Sequence, residues 1–445
     1  MIPYIKSLFQ SIPKPVGTLV SKVPYQMRPG IGFSYAQKKK LIHQFEFMDG
    51  TVQKELILSR VREVAGKAMN VPFYRDLYSS HGIKLDEIQS FSDITSLPIV
   101  TKDMLNEFDI EQRSRTFRGR YKANTGGTSG KTLSFYITPG LIPNEWAHMH
   151  TIWEKLGFRQ DHLKLGFGGQ NLGAKALVYD GLRHSYAVNA YKPFDEILHH
   201  LNIVVRNNDI KYLHGYPSAL AEFARNLFEN APGLLDALKK KLQGIFLGSE
   251  YPAPVYRQEI EKAFLAPSVS WYGHTERAVL AWEKHEPYVY HPFQTYGYCE
   301  AVKNEETGTW RLIATSYYNF VSPFIRYDTG DEIEPVEIED GILRSFKITA
   351  GRVGDYVIDS FGSKIPLTAL IFGRHHAVFD IARFVQVRQE KAGEMSVLIT
   401  PKADFPNDFV FDQWFDRSSL SMKVDYEILP EPIRTALGKV PLKVK

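Results

Sequence analysis

Between about Tyr35 and Met69, apolar positions such as Leu41, Phe45, Phe47, Leu56, Leu58, Val61 and Val64 recur among charged residues and predict helix. From Asn70 to Glu107 the pattern breaks into short helices joined by turns, ending in Leu97-Pro98-Ile99-Val100-Thr101-Lys102. Two strand-like runs, Phe117 to Lys122 and Leu133 to Thr138, flank a Gly/Ser/Thr loop and predict a hairpin. Residues 143–272 then alternate as successive βα units: helix from Asn144 to Leu156, strand from Leu163 to Phe167, helix near 193–206 and strand from Ile210 to Leu213. The alternation continues with helix from Ser218 to Asn230, strand from Gly244 to Leu247, helix from Val255 to Phe264 and strand from Val269 to Trp271. Short strands and turns are expected over 288–350. Beyond them, strands at Phe384 to Gln389 and Ser396 to Thr400, a helix from Asp408 to Ser418 and a strand from Lys423 to Ile428 suggest a small separate unit. The pattern predicts an α/β protein: a large N-terminal domain with mainly parallel sheets flanked by helices, plus a small α+β C-terminal domain.

Composition narrows the class without changing that picture. The chain has 445 residues, 44% apolar and 23% charged, which is ordinary globular usage and excludes a disordered or low-complexity scaffold. Its single cysteine, Cys299, cannot form an internal disulfide or a cysteine-rich zinc site, which fits a reducing cytoplasm. No apolar run is long enough to span a bilayer. The net charge of +4 is uneven: residues 1–45 hold Lys6, Lys14, Lys22, Arg28, Lys38, Lys39 and Lys40 and no acid, leaving the remainder slightly acidic. A basic arm on an acidic body is not the footprint of a nucleic-acid binder. Pro3, Pro13, Pro15 and Pro24 interrupt its apolar residues, so a secretory signal is not expected. Residues 1–45 read either as a solvated lead-in segment or as a peripheral contact with an anionic inner leaflet.

In strands of a parallel sheet, ligands gather at the carboxyl ends. There the chain places His214-Gly215-Tyr216, Gly248-Ser249-Glu250 and Tyr272-Gly273-His274-Thr275-Glu276. The loop Thr125-Gly126-Gly127-Thr128-Ser129-Gly130-Lys131-Thr132 combines small residues, hydroxyls and a cation, the chemistry of a phosphate cradle. It departs from a Walker loop, since Thr125 stands where the first glycine belongs and the loop lies between two strands rather than before a helix. A flexible hairpin tip is the plainer alternative. His199-His200, His375-His376 and the pair His148 and His150 lack carboxylate or cysteine partners at metal spacing and read as surface or core residues.

The loop is followed in order by Tyr272-Gly273-His274-Thr275-Glu276, Arg326-Tyr327-Asp328-Thr329-Gly330-Asp331, Gly351-Arg352-Val353-Gly354-Asp355 and Arg434-Thr435-Ala436-Leu437-Gly438-Lys439. Together these resemble the adenylate-forming superfamily of acyl-CoA synthetases, luciferases and adenylation domains. The likeness is closer to the phenylacetate-CoA ligase branch with its CapK-like capsular polysaccharide members. Val71-Pro72-Phe73-Tyr74-Arg75 and Ser96-Leu97-Pro98-Ile99-Val100-Thr101-Lys102 are similar to that branch, so the resemblance spans residues 70–445.

The resemblance implies ATP-dependent attack of a carboxylate on the α-phosphate, giving acyl-AMP, then transfer of the acyl group to a second nucleophile. It assigns the β- and γ-phosphates to Thr125, Gly126, Gly127, Thr128, Ser129, Gly130 and Lys131, and the α-phosphate to Thr275. Glu276 would hold Mg²⁺, Asp331 the ribose hydroxyls, and Arg352 would sit near ribose and phosphates. Gly248, Ser249 and Glu250 match an adenine-side loop, with Tyr272 and Gly273 beside it. Lys439 matches a mobile catalytic lysine, and Gly354-Asp355 a hinge, implying domains at 1–45, 46–353 and 354–445, the last one mobile. Tyr216, Phe246 and Trp271 are candidates for the acyl pocket with core packing as the alternative, and His274 lies next to them.

The expected activity is an AMP-forming acid–thiol ligase using ATP and Mg²⁺ with CoA as co-substrate, in the cytoplasm, as a homodimer by analogy with the branch and serving surface polysaccharide assembly. Phe361-Gly362-Ser363-Lys364-Ile365-Pro366 matches the CoA-side loop only loosely, so an amine or amino-sugar acceptor is the alternative, and a non-enzymatic nucleotide-binding assembly protein a further one.

Overall fold

The computed structural model describes residues 12–125, 133–168, 172–189, 192–350, 356–362, 364–367, 370–371, 376–417, 420–435 and 440–444. They fall into two packed units, the first made of Met1–Asp161, Gly181–His184 and Val269–Ile348, the second of His162–Asp180, Ser185–Ser268 and Thr349–Lys445.

The first unit opens with helices α1 (Lys14–Ser21), α2 (Ser34–Glu46) and α3 (Gly50–Ala68). The stretch expected as one helical region is split because Asp49, its carboxylate accepting from Thr51 N–H at 2.8 Å, caps a new start. Strands β1 (Tyr121–Asn124) and β2 (Ser134–Ile137) form the expected antiparallel hairpin, and α4 follows (Leu141–Glu154). Residues 14–46 are part of this unit rather than a solvated strand of chain. Tyr25, Tyr35, Ile42 and Phe45 are buried, Tyr35 shares a 2.8 Å hydrogen bond with His150 of α4, and Lys39 donates to Thr151 at 2.8 Å. Each large side chain so buried contributes about 1.5–3 kcal/mol. Arg28 fastens the segment: it is buried, and its guanidinium donates to four carbonyls, those of Val23 (3.1 Å), Leu182 (2.6 Å), Ser21 (2.6 Å) and Gln160 (3.2 Å). It thereby serves as the cap for the end of α1 that the helix's own backbone cannot supply.

The second unit carries β3 (Leu163–Phe167), β4 (Leu177–Asp180), β5 (Ser185–Val188), helix α5 (Phe194–Asn207), β6 (Ile210–Gly215), α6 (Pro217–Asn230), β7 (Gly244–Leu247) and α7 (Pro254–Phe264). Strands β5, β3, β6 and β7 run parallel in that order, and β4 pairs antiparallel with β5. All of Gly244-Ile245-Phe246-Leu247 is buried, as a strand covered on both faces requires. Leu213, Leu220, Phe223, Ile245, Ile260 and Phe264 form the core beneath it. Gly215 is obligatory, since a Cβ there would lie 2.7 Å from the carbonyl oxygen of Phe167.

The first unit resumes with β8 (Ser268–Gly273) and β9 (Leu280–Trp282), then β10 (Gly297–Lys303), β11 (Trp310–Ser316), β12 (Tyr327–Glu339) and β13 (Ile342–Ala350). The last four form one antiparallel sheet in sequence order, with β12 running 13 residues where short strands and turns were expected. The second unit ends with β14 (Ala382–Arg388), β15 (Glu394–Pro401), β16 (Lys423–Ile428) and β17 (Lys443–Val444), ordered β16-β15-β14-β17. The helix expected over 408–418 is a single turn, Phe411–Trp414. Aromatic packing overrides propensity there: Phe409 and Phe411 turn onto Tyr426 of β16, with ring centroids 5.2 and 5.1 Å apart. Arg225 of α6 joins this C-terminal sheet to the helices of its own unit, pairing with Glu259 at 2.6 Å and donating to the carbonyl of Arg383 at 2.8 Å.

Two histidines, His148 fully buried and His214 half-buried, have proton affinities pushed well below the ordinary value. His148 of α4 bonds the Asn144 carbonyl at 2.9 Å and the Thr295 hydroxyl at 3.0 Å, and burial pushes its imidazole down from 6.5 to about 3. Burial, with the Lys164 cation nearby, pushes His214 of β6 down to about 3 as well. Both are neutral when folded and regain an ordinary proton affinity when unfolded. Their contribution to stability is therefore complete above pH 6.5 and is lost as pH falls toward 3. Denaturant unfolding as a function of pH should show stability falling over that window, and His214→Gln should flatten the slope by about 1.4 kcal/mol per pH unit. An unchanged slope would mean that His214 is protonated in the native chain. Arg28→Met, which keeps the aliphatic stem but strands four carbonyls, should lower stability by about 3 kcal/mol in the same experiment.

Candidate active site

The densest cluster of candidate residues lies in the first unit at the end of β8. Strand β9 returns antiparallel to it, placing Tyr272 opposite Ala281 and Gly273 opposite Leu280, and the turn between them exposes Thr275. Gly273 is the tight point of that return, where a Cβ would meet Leu280 Cδ1 at 3.0 Å. Glu276 is buried at 6% exposure, its Oε1 accepting from the Tyr327 hydroxyl at 3.1 Å and its Oε2 paired with His274 Nδ1 at 2.9 Å. The other ring nitrogen of His274, Nε2, is buried with no hydrogen-bond partner among the described residues. The Tyr272 hydroxyl donates to Asp331, which is itself 5% exposed. The tyrosine ring is held edge-on to Phe346 at 5.6 Å between centroids.

Asp331 owes its aim to an irregular strand. The β11–β12 register shifts between Arg311 and Ile313, and Gly330 opposite adopts φ +76°, a conformation that costs glycine little. Asp328 accepts from Gly330 N–H at 2.9 Å, while Thr329 donates to the Leu312 carbonyl at 2.9 Å and accepts from Asp331 N–H at 3.2 Å. Side chains thus replace the ladder bonds that the bulge removes.

Upstream, Arg326 forms a two-pronged buried ion pair with Glu300, at 3.0 and 3.1 Å, and donates to the carbonyls of Thr95 and Leu97. Burial pushes the Glu300 carboxyl up from its ordinary value and the guanidinium opposes that shift. The two amino-terminal motifs act on the same stretch. Val100 bridges Tyr327, with N–H to the Arg326 carbonyl at 3.0 Å and its own carbonyl accepting from Asp328 at 2.9 Å. Tyr74 donates to the Pro323 carbonyl at 2.9 Å and accepts from Ile325 N–H at 3.2 Å.

A second group lies in the second unit. Ser249, just after β7, has φ +67°, a strained turn for a residue with a side chain. Gly248 N–H donates to the Gly215 carbonyl at 3.2 Å, joining the ends of β7 and β6. Glu250 accepts from Ser218 N–H at 3.2 Å and from Val440 N–H at 3.3 Å. The Val440 bond ties the described residues 440–444 to the Gly248–Glu250 loop within this unit. Arg434 adds an ion pair with Glu222 of α6 at 2.7 Å.

Of the other sequence candidates, Thr125 is buried and its hydroxyl accepts from Leu133 N–H at 2.9 Å, closing the neck of the β1–β2 hairpin. Phe246 is fully buried and stacks on Tyr212 at 4.9 Å, the core-packing alternative. Trp271 is half-buried, its ring 6.3 Å from Trp153, and Tyr216 is also half-buried, its N–H donating to Phe167. Gly126 to Lys131, Arg352, Gly354, Asp355 and Lys439 lie outside the described residues. Tyr327 and the Arg326–Glu300 pair received no role from the sequence. Their signal was present in Arg326-Tyr327 directly before Asp328, but only the fold shows that Tyr327 reaches Glu276.

Among the described residues no group of three or more His, Cys, Asp or Glu could hold a metal ion. Glu276, a buried carboxylate that accepts from the Tyr327 hydroxyl and pairs with His274, offers the oxygen chemistry that a hard cation such as Mg²⁺ prefers.

No family model matches the chain. It is 24% identical over 299 residues to Protein CapK of Staphylococcus aureus, covering 65% of each, so the chain spans about two thirds of the length of that curated relative. Among solved structures it is similar to 2-hydroxyisobutyryl-CoA ligase in the postadenylation state in complex with R3-HIB-AMP, with a TM-score of 0.66 at 16% identity, over 89% of this chain and 90% of that one. It is also similar to the GH3.15 acyl acid amido synthetase, with a TM-score of 0.60 at 10% identity, over 88% and 91% of the two chains. The chain thus has the α/β fold of the adenylate-forming superfamily, the one that its ordered motifs resemble.

Proposed function

We propose that this chain is an ATP-dependent ligase that activates a carboxylic acid as acyl-AMP and passes the acyl group to CoA. The observation that carries the reading is the pair of buried carboxylates, Glu276 and Asp331, each oriented by a tyrosine, on the fold of adenylate-forming ligases. Such preorganisation suits phosphate chemistry, in which the protein positions and neutralises charge rather than attacking.

In this reading Asp331 accepts from the ribose hydroxyls, with Tyr272 fixing its second oxygen. The exposed Thr275 hydroxyl donates to the α-phosphate, and Glu276 would hold Mg²⁺, which would offset negative charge as it builds there. Thr128, Ser129 and Lys131 bind the outer phosphates. Lys439 bridges the incoming carboxylate and the α-phosphate, a task suited to a compact cation on a long stem. The carboxylate oxygen attacks phosphorus, pyrophosphate leaves, and the acceptor then displaces AMP from the carbonyl carbon. A cytoplasmic location follows from these co-substrates. An amine acceptor is the second reading, favoured by the loose match of residues 361–366 to a CoA-side loop.

ATP–pyrophosphate exchange across aryl, fatty and hydroxy acids should reveal at least one acid that supports exchange, and Asp331→Asn should slow it by about 10² to 10³-fold. Absence of exchange with every acid, while ATP still binds, would defeat the ligase reading. Exchange without thioester formation, but with amide formation from an amine, would replace CoA by the amine. Tyr327→Phe removes the hydroxyl that orients one oxygen of Glu276, so the Mg²⁺ concentration giving half-maximal exchange should rise several-fold. An unaltered Mg²⁺ response would remove Glu276 from the metal.

A further inference from the structure

The outer face of residues 14–33 inverts the usual order of polarity. On α1 the inward side chains are Gly17 and Ser21, while Pro15, Val16 and Leu19 fall within about 100° of one another and face solvent, and Lys22 and Val23, just past its end, are exposed as well. Leu19 is 66% exposed, and farther along Met27 is 62% and Phe33 72% exposed. Single exposed apolar residues are ordinary, but five large ones within 18 positions of the chain is a concentration of the kind found at interaction sites.

The orientation is enforced. Arg28 holds the carbonyls of Ser21 and Val23 and anchors them to Gln160 and Leu182, so α1 cannot roll its apolar side inward. The face is also cationic. Residues 1–45 contain no acid, Lys22 is exposed, and Lys14 is half-exposed at the start of the helix. Residues 1–11, outside the described residues, continue the composition with Ile2, Tyr4, Ile5, Leu8 and Phe9 beside Lys6. Glu154 and Asp161 line the cleft that Lys22 and Val23 share with Phe158, and each is paired, with Lys39 and Arg159 respectively. Two copies joined through this face would bring their lysines together without compensating acids. A surface that is apolar and negatively charged suits it better.

We propose that this face docks on an anionic phospholipid bilayer, with Val16, Leu19 and Val23 entering the boundary between headgroups and acyl chains and Lys14 and Lys22 meeting lipid phosphates. Deleting residues 1–45 cannot test this, because Tyr25, Tyr35 and Ile42 belong to the buried interior. Point variants can, since Leu19 and Val23 are exposed.

The full chain should co-sediment with vesicles of equal parts phosphatidylcholine and phosphatidylglycerol at low salt, bind pure phosphatidylcholine much more weakly, and be released from the mixed vesicles by high salt. Leu19→Glu with Val23→Glu should lower partitioning at least about tenfold at an unchanged thermal midpoint. Lys14→Gln with Lys22→Gln should weaken binding and reduce its salt dependence. No pelleting of the wild-type chain, or equal pelleting of the glutamate variant, overturns the proposal. Light scattering that shows a dimer abolished by the same glutamate variant also overturns it, by making a second copy the occupant.

Discussion

The buried pair of Arg326 and Glu300 is the constraint on which the first unit's candidate site rests. Two charges have left water, at a cost that only a two-pronged geometry and extra hydrogen bonds can offset, and Arg326 has both: Glu300 on one side and the carbonyls of Thr95 and Leu97 on the other. The pair joins β10 to the segment before α-helical residues 102–106 and to the first residue ahead of β12. From there the chain has little freedom. Tyr327 must face Glu276, and the bulge at Gly330 must turn Asp331 toward Tyr272.

This gives meaning to two amino-terminal motifs that carry no reactive groups. Val100 completes a short bridge to Tyr327, and the Tyr74 hydroxyl satisfies a buried carbonyl and a buried N–H at residues 323 and 325. Both clamp the run from 323 to 328 by backbone hydrogen bonds, the groups that cannot be left unpaired in an interior. The carboxylates at the site are then set by packing rather than by solvent, which is what the proposed adenylation chemistry asks of them.

The same economy appears at Arg28. In a list of basic residues it looks like one more surface charge, yet it is buried and spends its donors on carbonyls. Lys38 lies over the Tyr318 ring and Lys39 pairs with Glu154, so three of the arm's cations are structural, and Lys14 and Lys22 are left beside the apolar face of α1. Positive charge counted along a chain thus overstates what a partner would meet.

By itself the sequence determined the α/β alternation, the hairpin at 121–137, the parallel strands of the second unit and the positions where candidate chemistry collects, because periodicity, turn residues and motif order are local properties. It also pointed to the superfamily, through motifs no one of which is specific alone. Only the tertiary structure decided that β12 runs for 13 residues through a bulge, that the single helical turn there is Phe411–Trp414, and that Phe246 belongs to the core. It alone supplied Tyr327 to Glu276, Tyr272 to Asp331 and Arg326 to Glu300, pairs separated by 26 to 59 positions along the chain. Such contacts leave no periodic trace, since what selects them is the need of a buried charge or hydroxyl for a partner, and that partner is chosen by the fold.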